Sequence, residues 1–282
     1  MTDYFAGRVA VITGAGSGIG RALAVDLAGR GAVLALSDID GAGLERTAAL
    51  CEKGEGAVLA SRLDVTDRAA VFEHAEEVRA RFGKVNQVYN NAGIARYGEI
   101  ERESFEAFER VLEVNFWGVV NGTKAFLPHL IASGDGHVVN VSSLFGLVAF
   151  PGQSAYTAAK FAVRGFTEAL RQEMLVAGHP VRVTSVHPGG IKTAVARNAT
   201  VVDGADQRSF ADLFDKRLAL HSPEMAARTI VGGVRKHHAR IVIGAEASML
   251  DRFARLTPTG AQRLVALLSR FVAVAPLREP AG

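Results

Sequence analysis

Three side chains of complementary chemistry lie in the stretch from Ser143 to Lys160. Tyr156 and Lys160 are four residues apart, so a helix would place both on one face. Ser143 lies upstream of them, beyond a turn that Pro151 and Gly152 predict. A phenol, an ammonium group and a hydroxyl group could therefore converge on one small polar group, and the rest of the chain must hold a reaction partner against it.

A glycine-rich turn near the N-terminus joins a predicted buried strand to a predicted amphipathic helix. Residues 8–13 form an apolar run of strand length, and the helical pattern begins at Gly18. Glycines between the two allow the backbone to approach a pyrophosphate closely, while the N-terminus of the helix stabilises the anion. An ordinary strand-to-helix turn is the alternative, but this context favours a dinucleotide.

Asp38 follows the second predicted strand, residues 32–37, about 20 residues beyond the glycines. A carboxylate at this place accepts hydrogen bonds from the adenosine ribose and repels a 2′-phosphate. The residue therefore favours NAD over NADP. The alternative interpretation of Asp38 is a helix N-cap or a turn residue.

Strands and helices alternate along the chain as far as residue 243. Strands are predicted at residues 57–63, 85–90, 137–142, 181–186 and 240–243, and helices at residues 67–82, 104–131, 155–176 and 223–236. This alternation predicts an α/β fold, a single domain with a doubly wound parallel sheet and right-handed crossovers. Ligands of such sheets bind beyond the carboxyl ends of the strands, and the candidate residues lie at that edge.

Two segments near the C-terminus interrupt the pattern. Residues 194–221 mix apolar and charged residues and predict a mobile lid with one short helix at 209–220; a plain surface helical hairpin is the alternative. The apolar run at residues 264–276 is broken by Arg270 and predicts a helix packed on this protein or on a sister subunit. Contact with a membrane surface is a further interpretation of that run.

The composition argues against several functional classes. The 282 residues are 49% hydrophobic, enough for a large core, and the 32 basic and 29 acidic residues are interspersed, which argues against nucleic acid as a partner. No apolar run reaches the roughly 20 residues that span a bilayer. The single cysteine, Cys51, and an N-terminus unlike a signal peptide predict a cytoplasmic protein. The eight histidines show no metal-ligand spacing, so we expect no catalytic metal.

Taken together, the motifs resemble the short-chain dehydrogenase/reductase family over residues 5–245. The family patterns TGxxxGxG, NNAG, YxxxK and PGxxxT appear at residues 13–20, 90–93, 156–160 and 188–193, with the family's helix asparagine at Asn115. Chance explains this ordered set poorly. In the family the catalytic serine stands thirteen residues before the tyrosine, which selects Ser143 over its neighbour Ser142.

The resemblance implies a Rossmann-fold catalytic domain at residues 1–245 with strand order 3-2-1-4-5-6-7, in an NAD(P)-dependent oxidoreductase that acts on CH–OH groups. It also implies a homotetramer or homodimer. The tail, residues 246–282, has no general family counterpart and is predicted to be a helical extension of the same domain. The segment before NNAG departs from the family pattern, because Asn86 stands where an aspartate is usual and Tyr89 where an aliphatic residue is usual.

The resemblance also implies roles for individual residues. Catalysis is expected from Asn115, Ser143, Tyr156 and Lys160. The cofactor is expected to meet Gly14, Ser17, Gly18, Ile19, Gly20, Asp38, Asp64, Val65, Asn91, Ala92, Gly93, Tyr156, Lys160, Pro188, Gly189, Ile191 and Thr193. Apolar side chains after the serine and in the lid predict a substrate pocket with few polar groups. Its candidate residues are Leu144, Phe145, Phe150, Gln153, Phe210 and Phe214, with Arg96 and Arg197 as further candidate contacts.

Within this scheme Tyr156 is the expected general acid and base, provided that its pKa, near 10 when unperturbed, is pulled toward neutrality. Lys160 and the positively charged nicotinamide are both expected to favour the phenolate. Ser143 is expected to hold the substrate oxygen. By resemblance, Asn115 anchors a water that links Lys160 to solvent, and Lys160 binds the nicotinamide ribose.

Three functions are compatible with these residues. The first is an oxidoreductase that uses NAD, with NADP the less favoured cofactor, and acts on a hydrophobic secondary alcohol or ketone. The runner-up is an NADPH-dependent 3-oxoacyl thioester reductase, which Asp38 disfavours because reductive relatives usually carry a basic residue there or in the glycine turn, where Ser17 stands. A non-catalytic nucleotide-binding sensor is a distant third, since such proteins typically lose the tyrosine or the lysine.

Overall fold

The computed structural model describes residues 3–193 apart from 53 and 55, residue 195, residues 199–202 and residues 220–272, with side chains described as far as 269. Its strands are β1 (Val9–Thr13), β2 (Val33–Asp38), β3 (Val58–Arg62), β4 (Gln87–Asn90), β5 (Arg96–Tyr97), β6 (Gly136–Val141), β7 (Val181–Pro188), β8 (Thr200–Val201) and β9 (Arg240–Ile243). The helices are α1 (Gly18–Ala28), α2 (Gly41–Cys51), α3 (Arg68–Phe82), α4 (Phe105–Leu112), α5 (Gly118–Ala132), α6 (Ser154–Val176), α7 (Pro223–Arg235), α8 (Ala245–Leu256) and α9 (Pro258–Val272). A π-helical turn (Glu113–Trp117) joins α4 to α5, and a 3₁₀ turn (Leu144–Gly146) follows β6.

Seven of the strands form one parallel sheet in the order β3-β2-β1-β4-β6-β7-β9. This is the predicted order 3-2-1-4-5-6-7, so the predicted doubly wound sheet is confirmed. The central strands β1 and β6 are buried along their whole length, as expected for strands covered on both faces. The carboxyl ends of β1, β2, β4, β6 and β7 therefore meet at one edge of the sheet.

Helices cover both faces of the sheet and enclose two apolar cores. On one face α1, α2 and α7 supply Leu23, Leu27, Leu44 and Ile230; on the other α3, α5 and α6 supply Val71, Phe126 and Leu170. Each fully buried side chain of this size contributes about 1.5–3 kcal/mol to the free energy of folding. Both cores thus hold the carboxyl edge of the sheet as one rigid platform.

The two departures from the family pattern before NNAG have a structural explanation. Asn86 is buried, and its side-chain Oδ1 accepts a hydrogen bond of 3.0 Å from the backbone N–H of Val9, which joins the start of β4 to β1. Tyr89 is fully buried, and its hydroxyl donates to Oε1 of Gln87 at 2.9 Å. Burial raises the pKa of this tyrosine, so the hydroxyl stays protonated as a donor.

A short parallel pair, β5 with β8, was not predicted and fastens the beginning of the lid segment. Arg96 donates from Nε to Oε1 of Glu103 at 2.6 Å and from Nη1 to Oγ1 of Thr200 at 3.3 Å. The candidate substrate contact Arg96 is therefore engaged in holding this pair together. The predicted lid helix at 209–220, with Phe210 and Phe214, falls outside the described residues except at 220, as does Arg197.

The tail continues the chain as α8 and α9, which pack against each other and against this same chain. Val265 of α9 is buried with Leu147 and Val148, two residues of the segment between Ser143 and Tyr156. A helix is thus present over residues 264–272, the described part of the run that the sequence predicted to be helical, and it covers the segment next to the catalytic candidates. Among the helices in the described part of the chain, none combines the length and apolarity that crossing a bilayer requires.

Candidate active site

The glycine-rich turn between β1 and α1 has a backbone that side chains would obstruct. Gly14 has φ +67° and Gly18 has φ +53°, both in the left-handed region that favours glycine. A Cβ atom at Gly20 would lie 2.0 Å from the carbonyl oxygen of Gly14. Ser17 is the N-cap residue of α1, and its side chain makes no capping hydrogen bond. The first N–H groups of α1 are therefore available to an anion.

The NNAG motif is fastened to this turn by Thr13 and Asn91. The Oγ1 atom of Thr13 accepts hydrogen bonds of 3.1 Å from the N–H groups of both Asn91 and Ala92. The side-chain amide of Asn91 donates to the carbonyl oxygens of Thr13 at 3.0 Å and Gly14 at 3.2 Å. The end of β4 and the glycine turn thus form one unit, which the side chain of Asn91 holds together.

Asp38 lies at the end of β2, directly against the glycine turn. Its Oδ2 atom accepts a hydrogen bond of 2.7 Å from the N–H of Gly16, and its Oδ1 atom accepts one of 2.9 Å from the N–H of Asp40. The second bond is the turn role that the sequence left open as an alternative. The first places a carboxylate beside the turn, where it meets the requirement for reading an adenosine ribose.

Asp64 and Val65 follow β3 on the same edge. Oδ1 of Asp64 accepts from the N–H of Thr66 at 2.9 Å and from its hydroxyl at 2.8 Å, and Oδ2 accepts from Arg110 at 3.4 Å. Although burial alone would raise it, the pKa of Asp64 is lowered because these donors stabilise the carboxylate. The carbonyl oxygen of Val65 accepts from the side chain of Asn121 at 3.0 Å, which fixes this corner.

Asn115 occupies the π-helical turn that interrupts the predicted long helix. Its amide donates to the carbonyl oxygens of Ile94 at 2.9 Å and Val111 at 3.0 Å, and its Oδ1 accepts from the N–H of Ile94 at 3.3 Å. A residue of low helix propensity is tolerated here because the wider turn and these bonds satisfy its fully buried side chain. The sequence predicted the position in a helix but not the π-turn.

Ser143, Tyr156 and Lys160 come together as the sequence predicted. Lys160 is buried, and its Nζ atom donates to the carbonyl oxygen of Val141 at 3.1 Å and lies 5.5 Å from the centroid of the Tyr156 ring. The hydroxyl of Ser143 lies near enough to the Tyr156 phenol to lower the pKa of that phenol. A Cβ atom at Gly93 would lie 2.7 Å from Oδ1 of Asn115 and 3.5 Å from Nζ of Lys160. The four candidates therefore share one site.

The expected pKa of Tyr156 requires a correction. Burial raises the pKa of this phenol above its ordinary value, and the neighbouring Ser143 hydroxyl offsets only part of that rise. Burial also lowers the pKa of Lys160 to about 8, so its ammonium group is itself poorly solvated. Burial thus outweighs the groups of this chain that would favour the phenolate, so the pKa of Tyr156 is not shifted toward neutrality as expected.

The PGxxxT motif begins at the last residue of β7 and ends beside the first residue of α1. Pro188 ends β7, and the N–H of Gly189 donates to the carbonyl oxygen of Ile243 at 2.9 Å. Ile191 is buried, and Thr193 lies so close to α1 that a Cβ atom at Gly18 would be 3.3 Å from it. Thr193 therefore borders the glycine turn.

The residues between Ser143 and Tyr156 form an aromatic wall. Phe145 stacks on Phe150 with ring centroids 5.3 Å apart, and it meets the Tyr156 ring edge-on at 6.1 Å. Leu144 and Phe150 also pack against the cluster that contains Val265 of α9. Gln153 is buried at the start of α6, opposite Gly98. The expected substrate residues in this segment therefore lie beside the phenol, with the tail behind them.

Four buttressing residues were missed as site residues: Thr13, Arg21, Ser142 and His187. Arg21 donates to the carbonyl oxygen of Gly16, and Ser142 donates to the carbonyl oxygen of Lys160 at 2.8 Å. His187 bonds to the carbonyl oxygen of Ser143 at 3.1 Å. The sequence could have indicated these residues only by their positions. Each lies at the carboxyl end of a parallel strand or in the first turns of the helix that follows such a strand.

Replacing Gly20 by alanine is expected to weaken dinucleotide binding at least on the order of tenfold, which corresponds to about 1.4 kcal/mol. The new methyl group would meet the backbone of Gly14, which cannot move without displacing Asn91. Gly165→Ala is the matched control, because nothing lies within 4 Å of its Cβ position. Fluorescence titration with NAD measures both variants; equal affinities would contradict the assignment of this turn.

The fold and these motifs match known proteins. A family model described as short chain dehydrogenase matches residues 8–202. A Mycobacterium tuberculosis protein named putative oxidoreductase SadH is 67% identical over 262 residues, covering 93% of this chain and 95% of its own length. A Thermotoga maritima 3-oxoacyl-[acyl-carrier-protein] reductase, FabG, is 38% identical over 187 residues, covering 66% of this chain and 75% of its own length. A crystal structure of a short chain dehydrogenase/reductase from Burkholderia phymatum in complex with NAD superposes with a TM-score of 0.82 at 30% identity, covering 88% of this chain and 92% of that one.

Proposed function

The chain belongs to the short-chain dehydrogenase/reductase family of oxidoreductases, and from that premise we propose that it transfers a hydride between NAD and a hydrophobic secondary alcohol or its ketone. The observation that carries the proposal is the cluster of Asn115, Ser143, Tyr156 and Lys160 beside the glycine turn. A phenol with a hydroxyl partner and a nearby buried ammonium group suits proton transfer at an alcohol oxygen.

The residues at the carboxyl edge fit a dinucleotide. The turn at 14–20 leaves the first N–H groups of α1 free of side-chain capping, as pyrophosphate binding requires. Asp38 lies at one end of this turn and would hold the adenosine ribose, with Asp64 and Val65 beside the adenine. Lys160, Ile191 and Thr193 at the other end would hold the nicotinamide half. Bound NAD supplies the acceptor for the hydrogen and electron pair of the alcohol C–H bond.

The proposed proton transfers use side chains of this chain. In alcohol oxidation the Tyr156 phenolate takes the hydroxyl proton, and in ketone reduction the neutral phenol returns it. Ser143 donates a hydrogen bond to the substrate oxygen and holds it beside the phenol. Lys160 stabilises the phenolate, and Asn115 supports the path by which the proton reaches solvent. In the part of the chain that the structure describes, no group of three or more His, Cys, Asp or Glu side chains is arranged to hold a metal ion.

Asp38 supports NAD as the preferred cofactor, and Asp38→Ser tests this. Removing the carboxylate should raise NADP affinity at least on the order of tenfold, because a like charge no longer faces the 2′-phosphate. It should also lower NAD affinity, because the ribose hydroxyls lose an acceptor. Asp40→Ser is the matched control, since Asp40 is the exposed N-cap residue of α2 and bonds to Asp38 only through its backbone. Tighter NADP binding by the unchanged protein would reject the NAD assignment.

An apolar substrate is supported by the aromatic wall of Phe145 and Phe150 beside Tyr156. The wall has the tail helices at its back, through Val265, Leu250 and Ala254. We infer that a catalytic unit at residues 1–245 is completed by the extension at 246–282, whose α8 and α9 support the substrate side. Arg96, the described basic candidate, is already bonded to Glu103 and Thr200, which disfavours a strongly acidic substrate.

The experiment for this proposal is a screen of secondary alcohols with NAD, followed at the nicotinamide absorbance. 2-Octanol and cyclohexanol serve as apolar probes, and 2-butanol and glycerol as small and polar controls. We expect a higher kcat/KM for the apolar probes than for the two controls, because burying each additional CH₂ group contributes about 0.8 kcal/mol to binding. Preference for glycerol would reject the apolar pocket.

The runner-up, an NADPH-dependent 3-oxoacyl thioester reductase, is favoured by one observation, the similarity to the Thermotoga maritima FabG. Asp38 at the glycine turn argues against it. Acetoacetyl-CoA with NADPH discriminates the two, since efficient reduction of this thioester would favour the runner-up. A non-catalytic sensor is disfavoured because all four catalytic candidates are present and adjacent.

We propose a homodimer or homotetramer. Exposed aromatic residues on helices packed side by side support self-association: Phe105 is 82% exposed, Trp117 48% and Phe161 39%. Sedimentation equilibrium measures the assembly directly. A cytoplasmic location suits a chain with one cysteine and is part of the same proposal.

A further inference from the structure

His187 lies fully buried near the end of β7, between a serine of its own strand and the backbone of Ser143. Its Nε2 atom is 2.9 Å from Oγ of Ser185, and its Nδ1 atom is 3.1 Å from the carbonyl oxygen of Ser143. The proposed chemistry makes no use of this histidine. Its two bonds nevertheless connect the interior of the sheet to the residue that carries the catalytic hydroxyl.

The bonding partners determine the protonation of the ring. A carbonyl oxygen only accepts, so Nδ1 must carry a hydrogen and donate it to Ser143. Burial lowers the pKa of His187 to about 4, and Arg240 and Arg164 act in the same direction, so the ring is neutral in ordinary buffers. The other nitrogen, Nε2, is therefore an acceptor, and the Ser185 hydroxyl donates to it. Hydrogen bonds run in one direction, from Ser185 to His187 to Ser143.

The catalytic serine is held from two sides. On the side of α6, the hydroxyl of Ser142, the residue before Ser143, donates a hydrogen bond of 2.8 Å to the carbonyl oxygen of Lys160. From β7, His187 donates to the carbonyl oxygen of Ser143 itself. Ser143 lies between β6 and the 3₁₀ turn, and its Oγ atom accepts from the N–H of Phe145 at 3.1 Å. The orientation of this peptide determines where the hydroxyl points relative to Tyr156.

We propose that His187 is a positioning residue that fixes the Ser143 peptide and so aims the serine hydroxyl at the Tyr156 phenol and the substrate oxygen. This inference rests on the proposed function, because it assigns His187 an effect only through the serine. Displacing a reacting group by about 1 Å can lower a rate by as much as 10²-fold. A buried hydrogen bond to the backbone of the catalytic residue is sufficient to control such a displacement.

Two amide substitutions separate the two bonds of the ring. In His187→Asn the side-chain amide lies where Nδ1 of the histidine was, so it can still donate to the carbonyl oxygen of Ser143. In His187→Gln the amide lies where Nε2 of the histidine was, so it keeps only the contact with Ser185. We expect kcat with 2-octanol and NAD to fall on the order of tenfold for the glutamine variant and within about threefold of the parent for the asparagine variant. NAD affinity and the melting temperature serve as controls for folding.

Two further readouts distinguish positioning from a general loss of stability. In a Ser143→Ala background, His187→Gln should cost no additional activity, since its effect passes through the missing hydroxyl. The Tyr156 pKa should rise in the glutamine variant and in Ser143→Ala, because Ser143 lowers that pKa. This ionisation is followed without substrate as phenolate difference absorbance of the NAD complex, with Tyr156→Phe subtracted.

The outcomes are distinguishable. The positioning role would be overturned if kcat fell equally in the asparagine and glutamine variants. It would also be overturned if His187→Gln lowered kcat by the same factor in the Ser143→Ala background as in the parent. An unchanged Tyr156 pKa in His187→Gln, with a raised one in Ser143→Ala, would do the same. If Ser143→Ala itself left both turnover and the Tyr156 pKa unaltered, the proposed function of the site would fail first.

Discussion

Replacing Tyr156 by phenylalanine is expected to lower turnover by about 10²–10⁴-fold, the usual contribution of a positioned general acid or base. The phenylalanine ring keeps the edge-on contact with Phe145 and removes only the hydroxyl. NAD affinity should stay within about fivefold of the parent value, because one hydrogen-bonding hydroxyl contributes about 1 kcal/mol to binding. Steady-state kinetics with NAD and fluorescence titration measure the two quantities.

The control for this variant is Tyr4→Phe, which removes a phenol hydroxyl away from the catalytic cluster. The Tyr4 ring packs against Arg8, whose guanidinium lies 4.1 Å from the ring centroid. The turnover of Tyr4→Phe should match that of the parent. The pH dependence gives a second check, because burial raises the Tyr156 pKa and oxidation requires the phenolate. Alcohol oxidation should therefore increase toward alkaline pH in the parent. Activity retained by Tyr156→Phe would refute the acid–base assignment.

Lys160→Met is expected to produce an enzyme that is nearly inactive and yet more stable. Turnover should fall at least about 10²-fold, since the phenolate loses its neighbouring cation. The ammonium group is buried with a pKa lowered to about 8 from 10.5, and each pKa unit corresponds to about 1.4 kcal/mol. The charged lysine thus costs about 3 kcal/mol, and methionine fills the same space without that cost. Losing the bond to Val141 offsets about 1 kcal/mol, leaving a net gain of about 2 kcal/mol.

The sign of the pH dependence follows from proton binding. Because the folded state binds this proton more weakly than the unfolded state, the parent gains stability as pH rises from about 8 to 10.5. The advantage of Lys160→Met is therefore greatest below pH about 8 and disappears above about 10.5. Urea unfolding at several pH values measures it. Lys124→Met, an exposed change on α5, should show neither effect. A Lys160→Met protein that is less stable than the parent below pH about 8 would contradict the cost assigned to the buried charge.

The sequence predicted most of the sheet because its strands are nearly continuous apolar runs, and the glycine turn because few other residues can adopt its backbone. It could not predict the π-turn at Asn115, since that depends on carbonyl groups of Ile94 and Val111 that only the folded chain brings near. The β5–β8 pair joins residues about a hundred positions apart through two residues each, too few for any periodicity. The roles of His187 and Ser142 depend on partners on neighbouring elements for the same reason.

The pKa of Tyr156 shows that the sequence spacing of two side chains is not enough to predict how one shifts the pKa of the other. Four-residue spacing correctly placed Lys160 on the same helix face, and it suggested a strong cationic influence on the phenol. Burial of both groups opposes that influence, and burial is a property of the whole fold. Of the expected substrate residues, Phe145 lies beside the phenol and Phe150 stacks on Phe145, because both belong to the short connection between Ser143 and Tyr156.

In the proposed reaction a hydrogen passes directly from the carbinol carbon of an alcohol to NAD at this site. The most direct test uses 2-octanol deuterated at that carbon, with mass spectrometry of the reduced cofactor. We expect one deuterium in the nicotinamide product, slower oxidation than with unlabelled alcohol, and at least about 10²-fold slower formation of product with Tyr156→Phe. A reduced cofactor without deuterium, or bound NAD that no secondary alcohol of the panel reduces, would contradict it.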